Sequence, residues 1–481
     1  MLDKRKFYIN GAWVDPVDGR DLDVIDPSTE EAVAVISLGG PADTDAAVAA
    51  ARAALPGFMQ SAPAERLDLV KRILEVYKRR NDEMGDAISL EMGAPIDMAR
   101  TAQSGSGTWH IENFIRAFDQ IAWEAPLSDK APEDRIIKEA VGVCALITPW
   151  NWPMNQVTLK VIPALLAGCT MVLKPSEIAP LSSMLFAEIL DEAGVPPGVF
   201  NLVNGDGVGV GTRLSGHPDV DMVSFTGSTR AGIAISRNAA ETLKHVHLEL
   251  GGKGANIIFA DADEKAVVRG ARHCFNNTGQ SCNAPTRMLV ERAIYDKAVE
   301  IAAETAGKTR VASAHETGNH IGPVVSQAQY DKIQGLIQKG IDEGARLVAG
   351  GLGRPDGLNR GYFVRPTVFA DVNNDMTIAR EEIFGPVLSI IPFDTEAEAL
   401  RIANDTPYGL TNYVQSQDGA KRNRLARHLR SGMVEMNGKS RGRGSPFGGM
   451  KASGRGREGG VWGIEDFLEV KAVSGWSADD V

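Results

Sequence analysis

The chain is poor in cysteine, with four among 481 residues, and none of Cys144, Cys169, Cys274 and Cys282 stands in a CxxC spacing. That spacing gives no zinc signature, and a long chain with so few thiols does not rely on a disulfide framework. Long apolar runs are also missing. None approaches the roughly 18 uninterrupted residues a spanning helix needs. The start, MLDKRKFYINGAW, has basic residues but no apolar stretch after them, so no secretory signal is expected and the protein is read as soluble and cytoplasmic. Basic charge is not in excess: 51 Lys and Arg against 62 Asp and Glu give −11. Nucleic acid, which needs a dominant basic face, is an unexpected partner. Neither an internal repeat nor a low-complexity tract is present.

Residues 42–122 are rich in Ala, Arg, Glu and Leu at helical spacing, as in AERLDLVKRILEVYKRRNDEMGDAISLEMG. From residue 141 the pattern becomes short apolar runs (VGVCALI, CTMVLK, VFNLV, MVSF, ANIIF) separated by helix-like segments. Such alternation predicts a parallel sheet with crossover helices, an α/β architecture of nucleotide-binding type. Cys144 and Cys169 lie inside these runs and are expected to pack as small hydrophobes. A second α/β series follows Cys282, with RMLVER, a helix from about Tyr295, RLVAG, VLSIIPF and YVQSQ; a Gly-rich connection covers 350–361. DRIIKEAV (134–141) and FLEVKAV (467–473) read as half-exposed strands. His245 and His247 share one face of a strand, but no ligand partner stands near them in sequence and no metal is expected.

Several segments admit chemistry. GDGVGVG (205–211) fails as GxGxxG and reads as a flexible loop. In MVSFTGSTRAG an apolar run meets a turn with Gly227 and Gly232, then a helix whose N-terminus would offer unpaired N–H groups to a phosphate. LKPSE (173–177) ends a strand, so Lys174 and Glu177 would either meet a ribose or start a helix with Ser176 as cap. In LELGGKG, Glu249 between leucines is either a desolvated base or an ordinary strand residue. In TPWNWP, the amide of Asn151 suits an oxyanion, or the segment is a plain turn. NNTGQSCNAPTR sets Cys282 among small polar residues, which leaves packing filler and nucleophile as its two roles.

In order along the chain, PWNWP, KPSE, FTGSTRAG, LELGGK, GQSCNAPTR, EEIFGP (381–386) and SPFGGMKASGRGRE (445–458) together resemble the NAD(P)-dependent aldehyde dehydrogenase superfamily, in its hydrolytic branch. The resemblance implies a Rossmann-like cofactor domain (1–121 and 141–249) and a second α/β catalytic domain (250–440). It further implies a small β oligomerisation extension (122–140 and 463–481) and a return loop near the site (441–462). It makes Cys282 the nucleophile, Glu249 the base and Asn151 an oxyanion donor, with Lys160 and Glu458 relaying protons to solvent. NAD would be held by Thr148, Trp150, Lys174, Glu177, Gly207, Gly227, Ser228, Gly232, Glu382 and Phe384. Trp152, Asn155, Leu159 and Phe447 would line the substrate tunnel. A small-molecule aldehyde, no membrane and a homodimer or homotetramer are the implied partners. The rivals are a CoA-acylating semialdehyde dehydrogenase, which typically lacks the glutamate base, and a cysteine hydrolase, which needs a histidine partner.

Two departures from the family pattern are visible. Asn283-Ala284-Pro285-Thr286 replaces the commoner Ala-Gly-Ser run, and NGKSRGRGSPFGG (437–449) carries Lys439, Arg441 and Arg443 where relatives often carry aromatics. Those cations would either select an aldehyde bearing a carboxylate or form a solvated loop beside the tunnel.

Overall fold

Two α/β sheets meet end to end, and a crevice runs between them. The computed structural model describes residues 1–477; the last four residues of the expected 463–481 extension lie outside the described residues. The first sheet has eight strands in the order Gly454–Arg455, His245–Glu249, Met222–Thr226, Val143–Ile147, Thr170–Lys174, Phe200–Leu202, Phe7–Ile9 and Ala12–Val14. Its five central strands are parallel, and the strands on both flanks are antiparallel. Val143–Ile147, Thr170–Lys174 and Met222–Thr226 are buried along their whole length, as helices on both faces of a parallel sheet require.

Chain order fixes the position of the crevice. From Val143–Ile147 the sheet grows one way through Thr170–Lys174 and Phe200–Leu202, then reverses to add Met222–Thr226 and His245–Glu249 on the other side. Such a reversal opens a ligand crevice beyond the carboxyl ends of the strands. Thr148 to Asn151, Lys174, Gly227 and Glu249 all stand at those ends.

The second sheet has seven strands in the order Arg346–Ala349, Thr367–Ala370, Val387–Phe393, Arg287–Glu291, Ala255–Ile258, Thr411–Gln415 and Met433–Met436, parallel except at the first. The segments after Glu249, after Cys282 and after Glu382 each run directly into the amino end of one of its strands. The carboxyl ends of one sheet thus face the amino ends of the other across the crevice. A separate antiparallel ribbon joins Glu124–Ser128, Ala131–Ala140 and Leu468–Val473. Leu2–Lys4, Glu31–Leu38 and Arg20–Asp26 make a further small sheet that the sequence pattern does not announce.

Helix Pro153–Ala167 is apolar on nearly every face and almost fully buried, starting at Pro153 and ending at Gly168 with φ 92°. It carries Lys160 into the interior. Two local readings change. Residues Gly207–Gly211, expected as a loop, form a wide helical turn because Asp206 accepts the Gly209 N–H at 2.5 Å. The 441–462 segment is not all loop: Gly454–Arg455 pairs with Leu248–Glu249, and helix Gly460–Glu465 runs across its end. Among the described residues no helix is long and apolar enough to cross a membrane.

Candidate active site

Cys282 reaches the crevice through an unusual stretch of backbone. After helix Ala266–Phe275, Asn277, Thr278 and Gly279 all have positive φ, at 50°, 57° and 73°. For a β-branched threonine this is strained, and strain persists only where surroundings over-determine it. They do so here. Asn277 donates to the Asn151 carbonyl at 2.9 Å and accepts from Gln103 at 3.1 Å, while the Thr278 hydroxyl donates to the Gly322 carbonyl at 3.1 Å. Gly279 presses on the Gly385 backbone so closely that no side chain fits. Gln280 and Ser281 continue the lock, since the Asn151 amide donates to the Gln280 carbonyl at 3.0 Å and the Trp152 indole donates to Ser281 at 2.8 Å. The Asn151 amide has a second N–H beyond the one given to Gln280.

Cys282 is half-buried and is shared by two cavities. One, of about 530 Å³, is lined by Trp109, His110, Trp152, Leu159 and Phe447 among others. The other, of about 180 Å³, lies toward Trp150, Gly227, Ser228, Glu382 and Phe384. Burial, helped by the charges of Glu382, Glu249 and Glu458, pushes the Cys282 thiol far above its ordinary range. A thiol is generally part-ionised near neutral pH; this one is held protonated and needs a base.

Glu249 is one of the carboxylates whose charge bears on Cys282. It is 2% exposed, and neither carboxylate oxygen has a hydrogen-bond partner among the described residues. Burial raises its pKa to about 7, with Glu458 adding to the rise and His247 and Lys160 opposing it. Behind it, the Lys160 ammonium holds Glu458 at 2.7 Å and Ser224 at 3.0 Å.

Toward the smaller cavity, Ser228 caps helix Thr229–Ala240 by accepting the Ala231 N–H, and Gly232 lets that helix pack on Leu250. Thr226 lines the cavity, and its hydroxyl is buried and without a partner among the described residues. Glu382 accepts the Gly252 N–H at 2.8 Å; burial raises its pKa. Phe384 has φ 60° and meets Trp150 edge-on at 5.4 Å. Lys174 is committed to the carbonyls of Gly205 at 2.6 Å and Pro175 at 2.8 Å, with Glu177 at 3.3 Å; burial lowers its pKa. Thr148, whose N–H donates to the Lys174 carbonyl at 3.1 Å, and Gly207 on its turn sit along the same strand ends without lining either cavity.

Of the three cations in the 437–449 loop, Arg441 alone lines the larger cavity, paired with Glu435 at 3.1 Å and lying over the Phe447 ring at 4.7 Å. Lys439 and Arg443 are exposed. Sequence reasoning missed His110, whose ring nitrogen lies 2.6 Å from the Asn155 amide oxygen in that cavity, and also Trp109 and Gln103. Nothing in their local helix pattern marks them. It also missed the partners of His247, because Asp466 lies 219 residues away. Among the described residues no three His, Cys, Asp or Glu side chains are grouped to hold a metal.

Comparison with known proteins gives the same picture. A profile described as the aldehyde dehydrogenase family matches residues 13–473. A 3-succinoylsemialdehyde-pyridine dehydrogenase from a Pseudomonas species is 51% identical over 481 residues, covering 99% of both chains. An aldehyde dehydrogenase crystal structure from Bartonella henselae is 65% identical with TM-score 0.98, covering 99% of this chain and 100% of that one. A mutant of an aldehyde dehydrogenase from Pseudomonas syringae, complexed with NAD+ and octanal, is 47% identical with TM-score 0.96, covering 99% and 98%. On this evidence the chain belongs to the aldehyde dehydrogenase family.

Proposed function

We propose that this enzyme oxidises an aldehyde to a carboxylic acid, using NAD as hydride acceptor and Cys282 as nucleophile. One observation carries the reading: Cys282 forms the wall common to two cavities, with the unpartnered carboxylate of Glu249 close enough to act on its charge. The residue types of the smaller cavity suit one end of a dinucleotide that would continue along the strand ends. A capped helix N-terminus suits a pyrophosphate, the orphaned Thr226 hydroxyl and Glu382 suit sugar and amide groups, and Trp150 with Phe384 suits a flat ring. Lys174 and Glu177 at the neighbouring strand end would hold the adenine ribose, near Thr148 and Gly207. Bound there, NAD supplies the hydride acceptor.

The chain's own residues do the rest. The sulfur of Cys282 adds to the aldehyde carbon as the thiol proton passes to solvent. The oxyanion is met by the second N–H of Asn151 and by the Cys282 backbone N–H. Departure of hydride from the tetrahedral carbon leaves a thioester on Cys282. Glu249 then removes a proton from water, the hydroxide adds to the thioester carbon, and collapse releases the acid and the thiolate. Lys160 and Glu458 return the proton toward solvent. Glu249 disfavours the CoA-acylating alternative, in which no water needs activation.

The substrate is proposed to be an aromatic or medium-length apolar aldehyde. The larger cavity is walled by Trp109, Phe114, Trp152, Leu159 and Phe447, and Asn155 is turned to His110. Arg441 is already paired with Glu435, which leaves little to select a carboxylate. The likeness to enzymes named for a pyridine semialdehyde and solved with octanal agrees. Division into cofactor (1–121 and 141–249), catalytic (250–440) and oligomerisation parts is part of the same reading.

The test is single-turnover NADH formation with benzaldehyde. Glu249→Gln is expected to give a burst followed by near-zero steady state, and Cys282→Ala no NADH while still binding NAD. Steady turnover above a few per cent in Cys282→Ala would overturn the nucleophile. Absence of any burst in Glu249→Gln would count against its role in hydrolysis.

A further inference from the structure

Strand His245–Glu249 puts His247 and Glu249 on one face, two residues apart. Both side chains are 2% exposed. His247 Nδ1 is hydrogen-bonded to Asp466, the residue that ends helix Gly460–Glu465. That bond turns the opposite nitrogen, Nε2, toward Glu249 Oε1 at 3.7 Å, and neither of these two atoms has any other partner among the described residues. The Gly456 backbone lies against the imidazole with no room for a side chain and closes the ring in place. The Asp466 carboxylate is 17% exposed, and beyond it His245 Nε2 lies 4.0 Å away on a side chain 40% exposed.

We infer that His247, held by Asp466, is a positioning residue that keeps the Glu249 carboxylate ionised and aimed for water activation. This inference rests on Glu249 being the base. The groups facing the pair come from four elements: Asp466 and Lys160 from helices, Glu458 and the Arg457 segment from the return loop, and Cys282 across the crevice. Arg457 is spent on the Gly449 and Gly456 carbonyls at 2.8 and 2.6 Å. Lys160 is shared with Glu458 and Ser224. His247 is therefore the cation aimed at Glu249 with its near nitrogen uncommitted. Burial pulls the imidazole pKa down, but the bond to Asp466 and the nearby Glu249 carboxylate outweigh that and bring it to about 9, so the ring is charged at neutral pH. An opposite charge at this range favours the ionised carboxylate.

The sign of the expected effect follows. Removing the imidazolium raises the proton affinity of Glu249, so the acid limb of turnover moves to higher pH. The measurement is the pH profile of steady-state kcat with benzaldehyde, from pH 6 to 10, for wild type, His247→Gln, Asp466→Asn and Glu249→Gln. For His247→Gln, turnover at pH 7 is expected to fall roughly five-fold, as a tenfold rise in proton affinity gives near the midpoint, and to recover by pH 9. Asp466→Asn, which leaves the ring in place but uncharged, should shift the limb the same way. It decides the matter if His247→Gln does not fold. KM for the aldehyde should stay unchanged in both. An unshifted limb in a folded His247→Gln, with Glu249→Gln stalled after its burst, overturns the role of His247 alone. Sustained turnover in Glu249→Gln overturns the base assignment and this inference with it.

Discussion

Replacing Lys160 by methionine isolates the cost of one buried charge. The Lys160 side chain is 0% exposed and that of Glu458 is 3% exposed, with 2.7 Å between ammonium and carboxylate. At an effective dielectric of about 20, that separation corresponds to about 6 kcal/mol of attraction. Most of this offsets the desolvation of two ions, so the pair adds little net stability. Breaking it on one side is different, because methionine fills the space of the lysine stem while Glu458 is left buried and alone, at a cost of roughly 3–5 kcal/mol. Lys160→Met should therefore lower the urea and thermal midpoints clearly at pH 7, and Lys160→Met with Glu458→Gln should recover much of the loss. Midpoints are compared instead of fitted free energies, because a chain of this size is not expected to unfold in two states. A single variant as stable as wild type, or a double variant no better than the single, refutes the reasoning.

Glu177 at the ribose end should disfavour a 2′-phosphate, by roughly 1–4 kcal/mol for a close unit-charge clash. NAD is thus expected to exceed NADP in kcat/KM by tenfold or more, and Glu177→Gln should narrow the ratio; equal values in wild type would end the claim. Wild type should turn over benzaldehyde and octanal with higher kcat/KM than succinic semialdehyde, and Arg441→Ala should not reverse that order. A semialdehyde preference lost in Arg441→Ala would instead restore the carboxylate reading of the basic loop. The ribbon of Leu468–Val473 and Ala131–Ala140, with Val470 66% exposed, is proposed to assemble a dimer or tetramer. Light scattering at micromolar concentration should give a multiple of 51.5 kDa, and a monomeric mass would exclude it.

The strands that carry the site were legible because a parallel strand covered on both faces is a continuous apolar run, and the polar residue ending it marks where chemistry can begin. Val143–Ile147 runs into Asn151, Met222–Thr226 into Gly227, and His245–Glu249 ends on Glu249, the proposed base. Cys282 was legible through its neighbours as a set, but the route the backbone takes to it was not. Threonine is among the residues least suited to positive φ, and Thr278 adopts it because Gln103 and Gly322, from distant parts of the chain, hold Asn277 and Thr278 in place. The charge state of Cys282 was not legible for a related reason, since the three carboxylates around it come from positions 249, 382 and 458. The Arg441–Glu435 pairing is closer in sequence, yet a Gly-rich loop gives no period from which to read it.

The same surroundings act on both acid–base groups and order their chemistry. Around Glu249 the nearby buried charges are three carboxylates (Glu249, Glu458 and Asp466) and two cations (Lys160 and His247), a balance of −1 when all are ionised. Burial alone would hold Glu249 protonated, but two cations from different elements bring it back to about 7, where it is half available at neutral pH. Cys282 has no such help, because the groups bearing on it are mostly carboxylates, and its thiol remains a far weaker acid than the Glu249 carboxyl. Transfer of the thiol proton to Glu249 is therefore uphill in the resting enzyme. Thiolate can accumulate only where its formation is coupled to attack on the carbonyl, with the charge passing at once to the oxygen facing Asn151. The proposed hydrolysis would carry no such penalty, since its proton comes from water and Glu249 is already poised. On the proposed mechanism, the arrangement would keep the nucleophile quiet until an aldehyde is in reach, and would place the burden of pH control on Glu249 and the cations beside it.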